Sequence, residues 1–127
     1  MIEDYAHHPE ELRAVIQAAR SCFPGRKITG IFHPHLYSRT RDFASEFAQV
    51  LDGLDRVILV ELYPARELPI QGISSHTILD RMSLEDRHFV AKSDLIEFLS
   101  RLDKDVILSL GAGDLDLLSE DIIKLLD

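Results

Sequence analysis

Apolar residues fall along this chain in two rhythms. Continuous runs rich in β-branched side chains occur at Ile28 to Phe32, Val57 to Leu62 and Val106 to Leu110, each closed shortly afterwards by Pro or Gly. Runs of this kind predict strands buried on both faces. Between them the apolar positions recur at spacings of three and four. Leu12, Val15, Ile16 and Ala19 predict a helix over Glu10 to Cys22, with Pro9 suited to its first turn. Phe43, Phe47, Val50 and Leu51 predict a second helix over Thr40 to Leu51. Ser93 is placed to cap a helix from Asp94 to Leu102, and Asp114 to cap a last one ending near Leu126. Ile2 to Tyr5 and Arg87 to Ala91 read as shorter strands, the latter edge-like.

Strands alternating with helices imply an α/β fold: a three-layer, open, mostly parallel, Rossmann-like sheet with right-handed crossovers and helices on both faces. With no internal repeat, low-complexity tract or linker, residues 1–127 read as a single domain. Ligands of such sheets collect at the carboxyl edge, where strands end and helices begin. Four polar segments fall there: Asp4 to Pro9, His33 to Arg41, Tyr63 to Glu67 and Gly111 to Asp114.

The charge sharpens this picture. The formal net charge is -8, which argues against nucleic acid or an anionic membrane surface as a general partner. Residues 1–66 hold 8 basic and 9 acidic side chains, against 6 and 13 in residues 67–127, so the deficit lies in the second half. The lone Cys22 excludes an internal disulfide and a cysteine-rich zinc site. No apolar run approaches the roughly 18 residues of a membrane span, and no leader pattern precedes the motifs. A cytoplasmic protein is expected. Motif-like sequence begins almost at Met1, so a piece of a longer protein is expected too.

Against this acidic background, His33, His35, Arg39 and Arg41 crowd one predicted strand-to-helix turn. Arginines near a helix N-terminus oppose the helix dipole, so the turn is expected to meet an anion, with sulfate or phosphate held near His35 and Arg39. His33 and His35 could share a strand face as zinc ligands, but nothing nearby completes a site, and no metal is expected. Gly111-Ala112-Gly113 lacks the third glycine of a dinucleotide fingerprint and reads as a tight turn. A receiver-like binding module fits the size but gives no reason for this clustering. A small His/Asp hydrolase is the other alternative, although a G-x-S-x-G elbow is absent.

Taken together, Asp-Tyr-Ala-His-His-Pro at 4–9, Phe-His-Pro-His-x-Tyr-Ser-Arg-Thr-Arg at 32–41, Tyr-Pro-Ala-Arg-Glu-Leu-Pro-Ile-x-Gly-Ile-Ser at 63–74 and Gly-Ala-Gly-Asp at 111–114 resemble, in order and spacing, the C-terminal domain of the UDP-N-acetylmuramate:L-alanine ligases of the Mur ligase family. The resemblance spans essentially the whole chain. It implies an ATP-dependent, amide-forming enzyme of bacterial peptidoglycan synthesis in which ATP phosphorylates the substrate carboxylate and the amine of L-alanine attacks the acyl phosphate. It also implies that this domain closes over a central ATP-binding domain, so that UDP-N-acetylmuramate and the other two ligase domains are its partners in cis. ATP and Mg²⁺ would be held mainly by that central domain, with none bound tightly here. By the same resemblance Asp4 and Tyr5 meet the nucleotide, and His7 and His35 lie by the reacting groups. His35 and Arg39 bind substrate, with Arg39 the first choice to grip the alanine carboxylate; Arg41 is the candidate substitute for a second basic residue, although two positions further into the helix it points elsewhere. Leu36 departs from the pattern, which often places a basic residue there. No G-x-x-x-x-G-K-[ST] phosphate loop occurs in the 127 residues, so the isolated chain is expected to be inactive.

Overall fold

A computed structural model describes residues 2–4, 8–34, 36–62, 67–101 and 106–111, with 2–4 and 111 in backbone only. Five strands form one sheet: β1 (Ile2–Asp4), β2 (Ile28–His33), β3 (Arg56–Val60), β4 (Arg87–Val90) and β5 (Val106–Gly111). Their order is β1-β5-β2-β3-β4 and every pairing is parallel. The three long runs became the three central strands because strands covered on both faces are mostly apolar, here with Thr29, His33, Arg56 and Ser109 as the buried polar exceptions. β2 and β3 are buried at every position.

The connections explain the layers. From β2 through β4 the chain steps one way across the sheet, by α2 (Tyr37–Leu51) and α3 (Ser75–Leu79). It then reverses through α4 (Leu95–Ser100) to insert β5 between β1 and β2. Right-handed crossovers that reverse direction must lie on the opposite face. Accordingly α2 and α3, together with α1 (Pro9–Cys22), pack Leu12, Ile16, Phe47, Leu51 and Ile78 against Phe32, Leu59 and Leu108. Leu95 and Leu99 of α4 pack against Ile31, Ile58 and Ile107 on the other face. Fully buried side chains of this size each contribute about 1.5–3 kcal/mol.

Gly30 lies where β2 passes under Leu54. A Cβ there would sit 2.5 Å from Leu54 Cδ1, a contact that only a shift of Leu54 relieves.

Several expectations are corrected. The second helix begins at Tyr37, three residues before Thr40, and its N-cap residue Leu36 has φ 71° and ψ 136°. Ser93 is no cap, because Lys92–Asp94 form a 3-10 turn and the following helix starts at Leu95 without a side-chain cap. That turn is held by a distant group, the Lys92 N–H donating to Glu61 Oε1 at 3.0 Å. The five-residue α3 is an element that the apolar periodicity did not predict. Its start rests on a capping box, in which Ser74 Oγ accepts from the His76 N–H at 3.1 Å and Thr77 Oγ1 from the Ser74 N–H at 3.0 Å. Ser75 Oγ, buried, donates to the Val60 carbonyl and ties α3 to the end of β3. The expected helix from Asp114 to Leu126 lies outside the described residues.

Candidate functional site

Strand register brings the carboxyl ends of three strands to one rim. Leu110 of β5 pairs with Asp4 of β1 on one side and Phe32 of β2 on the other, and His33 pairs with Gly111. The carboxyl ends of β1, β5 and β2 therefore stand side by side, with α1 and α2 starting above them. Asp4 is the last residue of its strand. Tyr5, His7, His35, Tyr63 to Arg66 and Ala112 onward lie outside the described residues. His33, by contrast, is only 2% exposed and belongs to β2 itself, so it is a strand residue beneath the rim. His8, the N-cap residue of α1, sets its ring 4.8 Å from that of Phe43 and joins the start of α1 to the middle of α2.

The earlier start of α2 places Ser38, Arg39 and Arg41 all in its opening turns. The residues at 33–41 contain no carboxylate, but the fold brings one in. The Ser38 N–H donates to Glu67 Oε1 at 3.1 Å, and Ser38 Oγ–H donates to Glu67 Oε2. The Ser38 hydroxyl holds the Glu67 carboxyl below its ordinary range, helped against partial burial by the Ser38 and Tyr37 amides and the Arg41 charge. A carboxylate is thus already seated on the Ser38 amide in the first turn of α2. Two residues further on, Thr40 Oγ1 is buried with no hydrogen-bond partner among the described residues.

The two arginines differ. Arg41 Nε donates to Asp42 Oδ1 at 2.9 Å, and both side chains are about half exposed. That hydrogen bond raises the Arg41 pKa further above its ordinary value. Arg39, half-buried, belongs to the turn that Glu67 holds. Among the described residues no three His, Cys, Asp or Glu side chains gather as metal ligands, and the Glu67 carboxylate is engaged by Ser38.

A parallel five-stranded sheet with helices on both faces defines an open α/β domain of the Rossmann-like kind. The family model described as Mur ligase, glutamate ligase domain, matches residues 1–113, and the chain belongs to that family. It is 49% identical over 126 residues to the UDP-N-acetylmuramate--L-alanine ligase of Flavobacterium johnsoniae, covering 99% of this chain and 28% of that protein. The enzyme of the same name from Cytophaga hutchinsonii is 50% identical over 115 residues, 91% of this chain and 25% of the relative. The crystal structure of UDP-N-acetylmuramate-alanine ligase from Thermotoga maritima superposes with a TM-score of 0.70 at 31% identity, over 95% of this chain and 25% of that one. A murein peptide ligase from Psychrobacter arcticus, 18% identical, shares the fold with a TM-score of 0.75 over 97% of this chain and 26% of that one. The chain spans between a quarter and 28% of the length of the curated relatives it matches.

Proposed function

We propose that this chain is the domain of an ATP-dependent ligase that presents L-alanine to activated UDP-N-acetylmuramate and closes over the nucleotide. The observation carrying this reading is Arg39: an arginine in the opening turn of α2, on the rim shared by β1, β5 and β2, in a chain about half identical to L-alanine ligases. A guanidinium offers two parallel donors to a carboxylate, which orients an amino acid as well as holding it. With the carboxylate fixed, the amine is positioned to attack an acyl phosphate that forms when ATP phosphorylates the sugar's carboxylate.

Asp4 and Tyr5 are assigned to the nucleotide, and His7 and His35 to the region of the amine and the transferred phosphate. There an imidazole can donate to developing negative charge or accept the ammonium proton. Arg41, held by Asp42, is assigned an auxiliary role at most. The described rim offers no set of carboxylates to Mg²⁺, and the chain has no phosphate loop. ATP and the metal are therefore assigned to a central domain acting in cis, and catalysis by the 127 residues alone is not expected. Among the described residues no helix is long and apolar enough to cross a membrane, and we place the enzyme in the bacterial cytoplasm.

In the multidomain ligase carrying this domain, Arg39→Ala should raise the KM for alanine by roughly 10- to 150-fold, as loss of an arginine–carboxylate contact worth about 1.5–3 kcal/mol requires. The KM for ATP should move little. An unchanged alanine KM in steady-state assays would remove Arg39 from the clamp.

A further inference from the structure

We infer that Glu67 is a positioning residue for the proposed amino-acid site: its carboxylate serves as the missing cap of α2 and holds the turn that carries Arg39. The inference rests on the reading of Arg39 given above. Three observations support it independently. The natural cap position is taken by Leu36, whose side chain has no group to accept a backbone N–H, and no acidic residue occurs in the first turn of α2. Leu36 also has φ 71° with ψ 136°, a region that side-chain-bearing residues occupy only when their surroundings impose it. Finally, α2 is not continuous, since Phe43 breaks it with φ -121° and ψ 16°. The opening segment from Tyr37 to Asp42 is thereby separated from the body of the helix that packs on the sheet.

That segment is secured by its contacts, and Glu67 supplies contacts of the right kind. It comes from the other rim segment, 29 residues away, and engages both the amide and the hydroxyl of Ser38. Ser38 directly precedes Arg39. A carboxylate at this position complements the helix dipole and places a negative charge near Arg41. It also accepts from the Ser38 and Tyr37 amides of the first turn. A ligand carboxylate is then left to pair with the Arg39 guanidinium, which fixes where the amino acid binds.

Two experiments test the assignment. In the 127-residue chain, the Ser38 amide resonance should titrate with a midpoint below the ordinary glutamate value of about 4.3, and Glu67→Gln should abolish that titration. Hydrogen exchange at residues 37–40 should quicken roughly five- to tenfold in Glu67→Ala. The Arg39 Nε–H resonance should shift in the same variant, while that of Arg13 on α1 stays in place. In the multidomain ligase, Glu67→Ala should raise the alanine KM about tenfold with kcat and the ATP KM within twofold. Glu67→Gln, which keeps a neutral acceptor, should recover part of the loss. If Arg39→Ala raises the alanine KM and Glu67→Ala does not, the positioning role is overturned while the clamp stands. If Arg39→Ala has no effect, the clamp falls and the positioning role with it, and the cap alone is decided by the chain's own signals: unchanged exchange and an unmoved Arg39 resonance overturn it, and altered ones uphold it.

Discussion

Among the described residues, four carboxylates do work that local sequence does not announce. Glu67 meets Ser38, Glu61 the Lys92 amide, and Asp52 Oδ1 the amides of Ser83 and Leu84 at 2.9 Å each. Asp55 Oδ2 accepts from the Ile28 N–H at 2.8 Å. Each reaches across some thirty residues to satisfy a backbone donor, at the start of an element or, for Ser83 and Leu84, in the loop before β4, which is why no spacing rule along the chain exposes them. The arginine-rich turn was legible as a site because its charges are adjacent in sequence; its counter-charge was not. The strain at Leu36 is likewise invisible in sequence, since nothing about leucine foretells a positive φ. It yields a direct prediction. Ordinarily glycine destabilises a chain relative to alanine, but here Leu36→Gly should be more stable than Leu36→Ala by about 1–3 kcal/mol, because only glycine adopts this backbone freely. Chemical denaturation of the two variants measures the difference, and the usual order would show that Leu36 is unstrained.

At the scale of elements, what could be read in advance followed length and periodicity. β2, β3 and β5 declared themselves by runs rich in apolar, β-branched residues, and α1 and α2 by sustained three-and-four spacing. α3 did not, because its five residues, Ser75–Leu79, span too few turns to show a period. Its one signal was Ser74 three residues before Thr77, a weak form of the capping-box pattern. Ser74→Ala should therefore cost about 1 kcal/mol, seen as a lowered denaturation midpoint with unchanged slope. At β2 the constraint is spatial. Gly30→Ala would drive a methyl group against Leu54 Cδ1, and overpacking of this kind costs roughly 1–3 kcal/mol. Restoring stability by Leu54→Ala in the same chain would be poor, since it removes a buried side chain. Leu54→Val, which trims the interfering end, should recover more.

Over the whole molecule the two edges of the sheet have separate electrostatics. The carboxyl rim carries Glu67 and the proposed ligand groups, while the amino edge is braced by Asp55 and Asp86. Asp86 Oδ2 accepts from Arg56 Nε at 3.0 Å, its Oδ1 lies 2.7 Å from His88 Nε2, and Lys27 Nζ stands 3.8 Å away. Arg56 has a side chain only 10% exposed, so this partner matters to it. Burial alone would raise the Asp86 pKa, but the His88 and Arg56 hydrogen bonds outweigh it and hold it below the ordinary value. Asp55 follows the same balance, burial opposed by the Ile28 amide and by Arg20, whose Nη1 donates at 2.9 Å. A carboxyl group with a depressed folded pKa binds fewer protons when folded than when unfolded. Its stabilisation is complete above the unfolded value, about 3.9 for aspartate, and is lost as pH falls through the lower folded value. The thermal midpoint should accordingly be flat with respect to these groups above about pH 5 and fall steeply below about pH 4. Asp86→Asn should lower the midpoint at neutral pH, where the charged pair is removed from around Arg56, and should also flatten the acid limb. The wild type and the variant should then converge as pH drops, since protonation does to Asp86 what the substitution has already done. Curves that stay parallel down to pH 3 would show that Asp86 carries none of the acid sensitivity.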